Sequence, residues 1–289
     1  MVLLVLLAIV PAGVAWAEGI KLSTWNLNWL TLRPAGSPGL PADLRTRAPE
    51  DFERLRAYAL ELDADVVAVQ EVDGYDALRQ VFPSDRYVLH LTRDRLSQKV
   101  GVAIRRGLRH DLHPDVPLST DPATPVRSGL DVTLTESGLR MLIVHLKQGC
   151  REPRRDRGGG RDCAVFLGQA DPLAAWIAER RGAGGAFVVL GDFNRWMDGR
   201  DPFLATLHEA APLVRLTEGF ANPCWGNAAF IDHILAGGAA ADWVKPGSLA
   251  VFRYRETDPA WKARLSDHCP VSVRLNPPPR PATDRPDGR

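Results

Sequence analysis

AFVVLGDFN, residues 186–194, joins a run of five apolar residues to a polar end. A short apolar run that stops at Gly191 predicts a buried strand over 186–190. Asp192 and Asn194 follow at once, so a carboxylate and an amide stand where the strand ends. Functional side chains concentrate where rigid elements give way to loops. This stretch therefore predicts an α/β fold with a polar site at its strand ends.

Acidic or amide residues beside a strongly apolar segment recur at four other places. They are Asn26 and Asn28 in WNLN, the pair Gln70-Glu71, the triplet Ser266-Asp267-His268, and Ile231-Asp232-His233 inside a strand-like segment. One such carboxylate alone is usually a turn residue or a helix cap. Five such places favour a shared site, and carboxylates that converge in a cleft repel one another unless a cation joins them. Oxygen ligation with few carboxylates is typical of Mg²⁺.

Apolar spacing predicts the surrounding elements. Strands are expected over 21–28, 65–69, 99–104, 130–134, 139–146, 186–190, 230–235 and 270–275. A helix is expected over 51–62, with Asp51 as its cap or first-turn acid. A second helical stretch covers 163–181, where Pro172 should break it or start a new helix capped by Asp171. The layout is an α/β sandwich of many strands and few helices.

Composition excludes several classes of protein. The 289 residues are 25% charged and 45% hydrophobic, unlike disordered, collagen-like or small disulfide-framework chains. With 36 Lys+Arg against 35 Asp+Glu, the net charge is +1, so binding of a polyanion would have to be local. The length allows one or two domains, and one is the better count.

The two ends of the chain lie outside the predicted domain, 18–275. Residues 2–10 are all apolar and Ala15-Trp16-Ala17 has the form of a cleavage site, which predicts a signal peptide over 1–17. Since no Lys or Arg follows Met1, an N-terminal anchor or a misassigned start is the alternative. Export predicts a secreted or periplasmic protein without stable membrane association after cleavage. Residues 276–289 are proline-rich and predict a disordered tail.

Four cysteines support export: Cys150, Cys163, Cys224 and Cys269. None forms a CxxC pair, so a zinc ribbon is not expected. An even count in an exported chain suggests disulfide bonds, and three pairings are open. Cys150 with Cys163 is the most local choice and would leave Cys224 with Cys269. Four reduced, buried thiols are the alternative.

Basic side chains near 145–161 are candidates for binding a phosphate-bearing substrate. The segment 151–161 carries five arginines against two acids, with Arg154 and Arg155 near its middle. Between Cys150 and Cys163 it would form a tethered loop whose arginines position a polyanion without reading its sequence. Lys147 would share a face with His145 by strand alternation. A merely soluble loop and a solvated lysine are the alternatives.

Six motifs in order resemble a known superfamily. WNLNWL (25–30), QEVDG (70–74), VHLKQG (144–149), GDFNR (191–195), IDHI (231–234) and SDHCPV (266–271) resemble those of the endonuclease/exonuclease/phosphatase superfamily. Pancreatic-type deoxyribonucleases and abasic-site endonucleases are its familiar members. The resemblance spans residues 21–275 and implies a four-layer α/β sandwich, with two packed mixed β-sheets flanked by helices.

The resemblance also implies a metal site. Glu71 matches the principal metal-binding carboxylate, and Asn26 matches its partner in holding the metal and the scissile phosphate. Asn28 stands where some relatives carry Asp, and it is a further candidate ligand. Asp267 matches a second metal carboxylate. Mg²⁺ is the expected ion, with Mn²⁺ or Ca²⁺ as alternatives.

Five catalytic residues are implied in the same way. His145 matches a histidine that contacts the phosphate or protonates the leaving oxygen. Asp192 and Asn194 match the pair that positions the attacking water and the phosphate. His268 matches the histidine beside the scissile phosphate, and Asp232 matches the residue that orients it. A His–Asp pair suits proton chemistry near neutral pH, because imidazole titrates near 6.5.

The leading expectation is an exported, Mg²⁺-dependent nuclease, active as a monomer on DNA or RNA with little sequence preference. A phosphatase or phospholipase, similar to a sphingomyelinase or an inositol-phosphate hydrolase, would use the same residues on another phosphate ester. A non-catalytic binding module that retains the fold is the alternative of another class.

Overall fold

The structure of the protein is a computed structural model that describes residues 19–119, 121, 124, 126–153, 160–226 and 229–278. The predicted signal peptide, Arg154, Arg155 and residues 279–289 of the predicted tail lie outside the described residues. None of the helices in the described ranges has the length and hydrophobicity of a membrane span.

The described residues form twelve strands and six helices. In chain order the strands are β1 (Ile20–Leu30), β2 (Val66–Val72), β3 (Tyr87–Leu91), β4 (Lys99–Arg105), β5 (His110–Leu112), β6 (Leu130–Leu134), β7 (Leu139–His145), β8 (Phe187–Asp192), β9 (Leu213–Arg215), β10 (Asp232–Gly237), β11 (Ala250–Val251) and β12 (Val271–Leu275). The helices are α1 (Pro49–Leu62), α2 (Tyr75–Val81), α3 (Gly160–Leu167), α4 (Ala170–Gly182), α5 (Pro202–Ala210) and α6 (Ala240–Trp243), with a 3₁₀ helix at Pro259–Ala263.

The strands form two six-stranded sheets with the same plan. Their orders are β11-β12-β1-β2-β4-β3 and β5-β6-β7-β8-β10-β9. Each sheet contains one parallel pair, β1 with β2 and β7 with β8, and its other neighbours are antiparallel. Both sheets are therefore mixed, as the family resemblance implied.

Three apolar clusters separate four layers. The cluster between the sheets is built from inward-facing residues such as Leu22, Val66, Met141 and Val188. A second cluster packs α1 and α2 against the outer face of the first sheet, and a third packs α3, α4 and α5 against the second sheet. Because each sheet is covered on both faces, its strands read as nearly continuous apolar runs. The predicted four-layer α/β sandwich is confirmed.

Several predicted boundaries differ from the structure. Strand β8 continues to Asp192, since Asp192 pairs with His145 on one side and with Asp232 on the other. The helical stretch breaks before Ala170, so Pro172 lies in the first turn of α4, where its missing N–H removes no helical hydrogen bond. Asp171 is therefore a first-turn acid of α4 and not its cap.

Two disulfide bonds link Cys150 to Cys163 and Cys224 to Cys269. The first ties the loop after β7 to α3. The second ties residues around Cys224 to the segment that leads into β12, next to His268. Both bonds therefore lie beside segments that carry candidate site residues.

Candidate active site

Strand alternation directs four polar side chains between the two sheets. On β1, Ile20 and Leu22 enter the core between the sheets, and the period of two sends Asn26 to the same face. The same rule applies to three residues at strand ends in the second sheet: His145 on β7, Asp192 on β8 and Asp232 on β10. Each continues an inward-facing apolar row, and all four are almost fully buried.

Strand register brings these residues to one edge of the sandwich. Asn26 is level with Gln70 in the parallel pair β1–β2, and His145 is level with Asp192 in the parallel pair β7–β8. Asp232 is level with Asp192 across the antiparallel pair β8–β10. The carboxyl ends of both parallel pairs therefore meet at one place.

Glu71 reaches the site through an irregularity in β2. By alternation it should face away from the second sheet, but its φ of 60° is left-handed and the register shifts between Val69 and Val72. Such a bulge redirects a side chain at the end of a strand. Glu71 Oε1 accepts a hydrogen bond from Asn26 Nδ2 at 3.1 Å, and Oε2 accepts one from the Trp29 amide at 3.0 Å.

Asn26 connects the two sheets. Its Nδ2 also donates to Asp192 Oδ2 at 2.9 Å, so one amide group holds a carboxylate from each sheet. His145 lies beside both carboxylates, with Nε2 3.6 Å from Asp192 Oδ2 and 3.8 Å from Glu71 Oε1. These distances are too long for direct hydrogen bonds but short enough for one bound group to contact all three residues.

His268 and Asp232 form a second link between the sheets. His268 Nδ1 lies 2.8 Å from Asp232 Oδ2, and its Nε2 lies 3.8 Å from Asp192 Oδ2 and 3.9 Å from Asp267 Oδ1. Ser266 fixes the loop, because its hydroxyl donates to the Asn26 carbonyl and accepts from the His268 amide. Asp267 is the most exposed carboxylate of this group.

Asn194 closes the other side of Asp192. Its backbone amide donates to Asp192 Oδ1 at 2.7 Å, and its side chain donates to the Leu146 carbonyl at 3.1 Å. The turn depends on Gly191, because a Cβ atom there would lie 1.9 Å from the Val144 carbonyl oxygen of the neighbouring strand. A left-handed φ of 52° at Asn194 completes the turn.

Burial moves the pKa values of Asp192 and His145 in directions that favour their neutral forms. Burial raises the pKa of Asp192, and the nearby Asp232 carboxylate adds to the rise, while His268 and the two hydrogen bonds from Asn194 and Asn26 oppose it. Burial holds the pKa of His145 well below its ordinary value, with further lowering by the charges of Arg127 and His268. His145 is therefore a neutral imidazole at neutral pH.

His268 behaves in the opposite way. Burial alone would lower its pKa, but the carboxylates of Asp232, Asp192 and Asp267 outweigh that effect and raise the pKa well above the ordinary value. His268 is therefore an imidazolium at neutral pH. The site contains a buried and a partly buried histidine of opposite protonation state, as expected where a reaction needs both a neutral donor and a cation.

Two predicted site residues contact other partners. The Asn28 side chain donates to the Lys262 carbonyl at 3.2 Å. The Lys147 ammonium pairs with Asp162 at 3.0 Å, beside the Cys150–Cys163 bond, because β7 ends at His145 and strand alternation does not continue beyond it. Arg154 and Arg155 were predicted for substrate binding and lie outside the described residues.

Arg127 is a charged neighbour that the motifs did not reveal. It is half-buried, and its charge acts on Glu71, Asp192 and His145. Its guanidinium donates to Gln98, while its buried Nε has no hydrogen-bond partner among the described residues. The only signal in the sequence was an arginine shortly before β6, in a segment without a motif.

The donor set fits a divalent cation. Asp192, Asp232 and His268 offer ligand atoms that lie within 4.8 Å of one another, and Asp232 Oδ1 is buried with no hydrogen-bond partner among the described residues. His268 Nδ1 is already hydrogen-bonded to Asp232. His268 and Asp232 are therefore better explained as an ion pair beside Asp192 than as part of a complete set of metal ligands. Glu71 is more accessible, and carboxylate and amide oxygens are the ligands Mg²⁺ prefers.

A family comparison decides the assignment. The model of the Endonuclease/Exonuclease/phosphatase family matches residues 23–268. The chain belongs to this family. That match covers every described residue of the site, from Asn26 to His268. No curated protein matches the sequence at a significant level.

Solved structures share the family fold at low sequence identity. The 3′ phosphatase NExo from Neisseria, bound to a product DNA hairpin, has a TM-score of 0.59 and 18% identity, over 89% of this chain and 100% of its own. An AP endonuclease from Archaeoglobus fulgidus has a TM-score of 0.58 and 12% identity, over 89% and 99%. The human nocturnin catalytic domain, with bound sulfate, has a TM-score of 0.54 and 15% identity, over 88% and 93%. These likenesses establish the fold.

Proposed function

We propose that the chain is an exported, Mg²⁺-dependent phosphodiester hydrolase that cleaves nucleic acid with little sequence preference. One observation carries the proposal: the Asn26 amide holds Glu71 from one sheet and Asp192 from the other, beside His145 and the His268–Asp232 pair. Family membership supports the assignment to phosphate-ester chemistry.

Glu71, Asn26 and Asp267 would hold the ion, with Asn28 as a further candidate. The ion would neutralise charge on the phosphate and orient it, which is the usual contribution of Mg²⁺ to phosphoryl transfer. The two N–H groups that donate to Glu71 keep its carboxylate oriented before an ion binds.

The protein side chains would carry the remaining chemistry. Asp192 would orient the attacking water and accept its proton, with Asn194 fixing the Asp192 carboxylate. The water oxygen forms a new bond to phosphorus, the bond to the leaving oxygen breaks, and the leaving oxygen takes up a proton from solvent. His268, held as an imidazolium by Asp232, would stabilise charge on the phosphate. His145 is neutral and would donate a hydrogen bond to a phosphate oxygen, which favours phosphate contact over protonation of the leaving oxygen.

Nucleic acid is the favoured substrate because of two observations. Arg127 places a cation next to the carboxylate cluster, where a phosphate diester would need it. NExo, which shares the fold, is a 3′ phosphatase bound to a DNA hairpin product. Export is supported by the signal-like sequence at 1–17 and by the two disulfide bonds, which persist in oxidising compartments.

A substrate panel tests the proposal. Exported, purified protein should nick supercoiled plasmid in Mg²⁺ and stop in EDTA, and Asp192→Asn should nick about 10²–10⁴-fold more slowly. Asp198→Asn is the matched control, since this exposed carboxylate lies on the loop after β8, outside the site. If the protein hydrolyses only sphingomyelin, only inositol phosphates or only DNA 3′-phosphate ends, the proposed nuclease activity would be replaced by the corresponding hydrolase activity. Inactivity on every substrate of the panel, tested with each of Mg²⁺, Mn²⁺ and Ca²⁺, would overturn the catalytic proposal.

A further inference from the structure

The end of β1 contains a strained turn that serves the site. Asn28 and Trp29 have left-handed φ values of 45° and 54°, although neither is glycine. Left-handed backbone is unfavourable for residues other than glycine and persists only when surrounding contacts enforce it. The turn directs the Asn28 amide to Asn26 Oδ1 and the Trp29 amide to Glu71 Oε2. Two groups that orient the proposed metal ligands therefore depend on this turn.

Arg47 is inserted behind the turn, from the loop that precedes α1. It is 7% exposed, and its guanidinium donates to five backbone carbonyls at 2.7–3.0 Å. The acceptors belong to two segments: Leu27, Asn28 and Trp29 in the turn, and Arg264 and Leu265 just before Ser266. One side chain thus joins the segment that orients Glu71 to the segment that carries Asp267 and His268.

The charge of Arg47 is unusual for its position. A buried cation is normally paired with a carboxylate, because burial of an unpaired charge is strongly unfavourable. Among the described residues, no carboxylate lies within ion-pair distance of Arg47, and neutral carbonyls take its donors. Burial lowers its pKa to about 10, so it stays charged at neutral pH. The acids whose charges act on it include Asp51, Glu71 and Asp267.

We propose that Arg47 is a positioning residue that fixes the metal-binding edge of the site. It would act through the backbone of residues 27–29 and 264–265, without touching substrate. This inference rests on the proposed function of Glu71 and Asp267 as metal ligands. A planar guanidinium with five N–H donors can satisfy both segments at once, whereas a lysine ammonium has only three donors.

Arg47→Lys tests the proposal, because it keeps the charge and removes the planar fork. Mg²⁺ binding to the substrate-free protein, measured by calorimetry, should weaken about 10-fold or more, the usual effect of losing a group that orients a metal ligand. The rate constant kcat should fall by a similar or larger factor, while KM changes much less. Arg45→Lys is the matched control, since Arg45 is an exposed arginine of the same loop and should bind Mg²⁺ like the wild type.

Thermal unfolding and Arg47→Gln separate positioning from folding. A folded Arg47→Lys protein with lowered Tm but wild-type Mg²⁺ affinity and kcat would overturn the proposal. Loss of cooperative folding in both variants would also overturn it, because Arg47 would then be needed for the fold. If the wild type binds Mg²⁺ but hydrolyses nothing, the proposed function fails while the binding comparison still decides the role of Arg47. A wild type that binds no Mg²⁺ would overturn both.

Discussion

Glu71 and Asp192 receive hydrogen bonds from the same Asn26 amide group, yet they occupy different environments. Glu71 lies on a bulge of the first sheet with its side chain 15% exposed, and Asp192 ends a regular strand of the second sheet with its side chain 2% exposed. Two N–H groups orient Glu71 toward the open side. Asp192 is surrounded by Asn26, Asn194 and two histidines.

The difference suggests a division of labour. An accessible, oriented carboxylate can bind a hydrated cation, whereas a buried carboxylate with a raised pKa is suited to accept a proton. The two sheets would then supply different halves of one reaction. Substitutions of Glu71 and Asp192 are expected to affect one half each and to leave the other intact.

The largest effect is expected from Asp192→Asn. The amide keeps the shape of the side chain and loses the ability to accept a proton from water, so kcat should fall by about 10²–10⁴-fold. Mg²⁺ binding, measured by calorimetry, should remain near the wild-type value. A variant with near-wild-type kcat would remove Asp192 from the proposed chemistry.

A smaller effect is expected from Arg127→Gln. Loss of one cation that contacts a phosphate should weaken DNA binding uniformly across sequences and reduce the slope of log K against log[salt] by about 1. Arg93→Gln, which removes a cation from the loop after β3, is the control. An unchanged slope would show that Arg127 contacts no phosphate.

Asp232→Asn should shift the pH dependence without removing His268. The Asp232 carboxylate is one of the groups that raise the pKa of His268, so its loss lowers that pKa. Deprotonation of His268 would then occur at lower pH. The alkaline limb of the plot of kcat against pH should therefore move to lower pH. A limb that stays in place would mean that His268 does not control it.

His233 offers a contrast with His145 and His268, because it should affect stability and not catalysis. It lies on β10 next to Asp232 but bonds to Thr217 and to the Arg195 carbonyl, and burial lowers its pKa to about 4. The unfolded chain binds this proton more readily, so stability falls as pH drops from about 6.5 to 4, by about 3 kcal/mol from this group.

Urea unfolding of the wild type and of His233→Gln at pH 7 and pH 4.5 measures that effect. The variant should lose less stability than the wild type between the two pH values. Equal losses would show that His233 does not carry the acid sensitivity.

Much of the fold could be predicted from the sequence, because the strands that bury both faces carry apolar runs. Strands β6 and β4 were predicted within a residue of their observed limits. The missed strands β3, β5, β9 and β11 lie at or near sheet edges, and β5 is only His-Asp-Leu. Such short edge strands form because they pair with a neighbouring strand, and the local sequence pattern does not reveal this pairing.

The site was predictable where strand ends and motifs coincide, as for Asn26, His145 and Asp192. Three features of the site could not be predicted from the sequence. The left-handed backbone at Glu71, Asn28 and Trp29 depends on tertiary contacts. Arg127 and Arg47 lie in irregular segments without a motif, and their importance follows only from where the chain folds them.

A Mg²⁺ titration of kcat for wild type, Glu71→Gln and Asp192→Asn tests the division of labour most directly. Glu71→Gln should raise the Mg²⁺ concentration needed for half-maximal rate and recover activity at high Mg²⁺. Asp192→Asn should keep the wild-type midpoint and show a low plateau that no Mg²⁺ concentration restores. Equal displacement of both midpoints, or recovery of Asp192→Asn by Mg²⁺, would contradict the assignment of different roles to the two carboxylates.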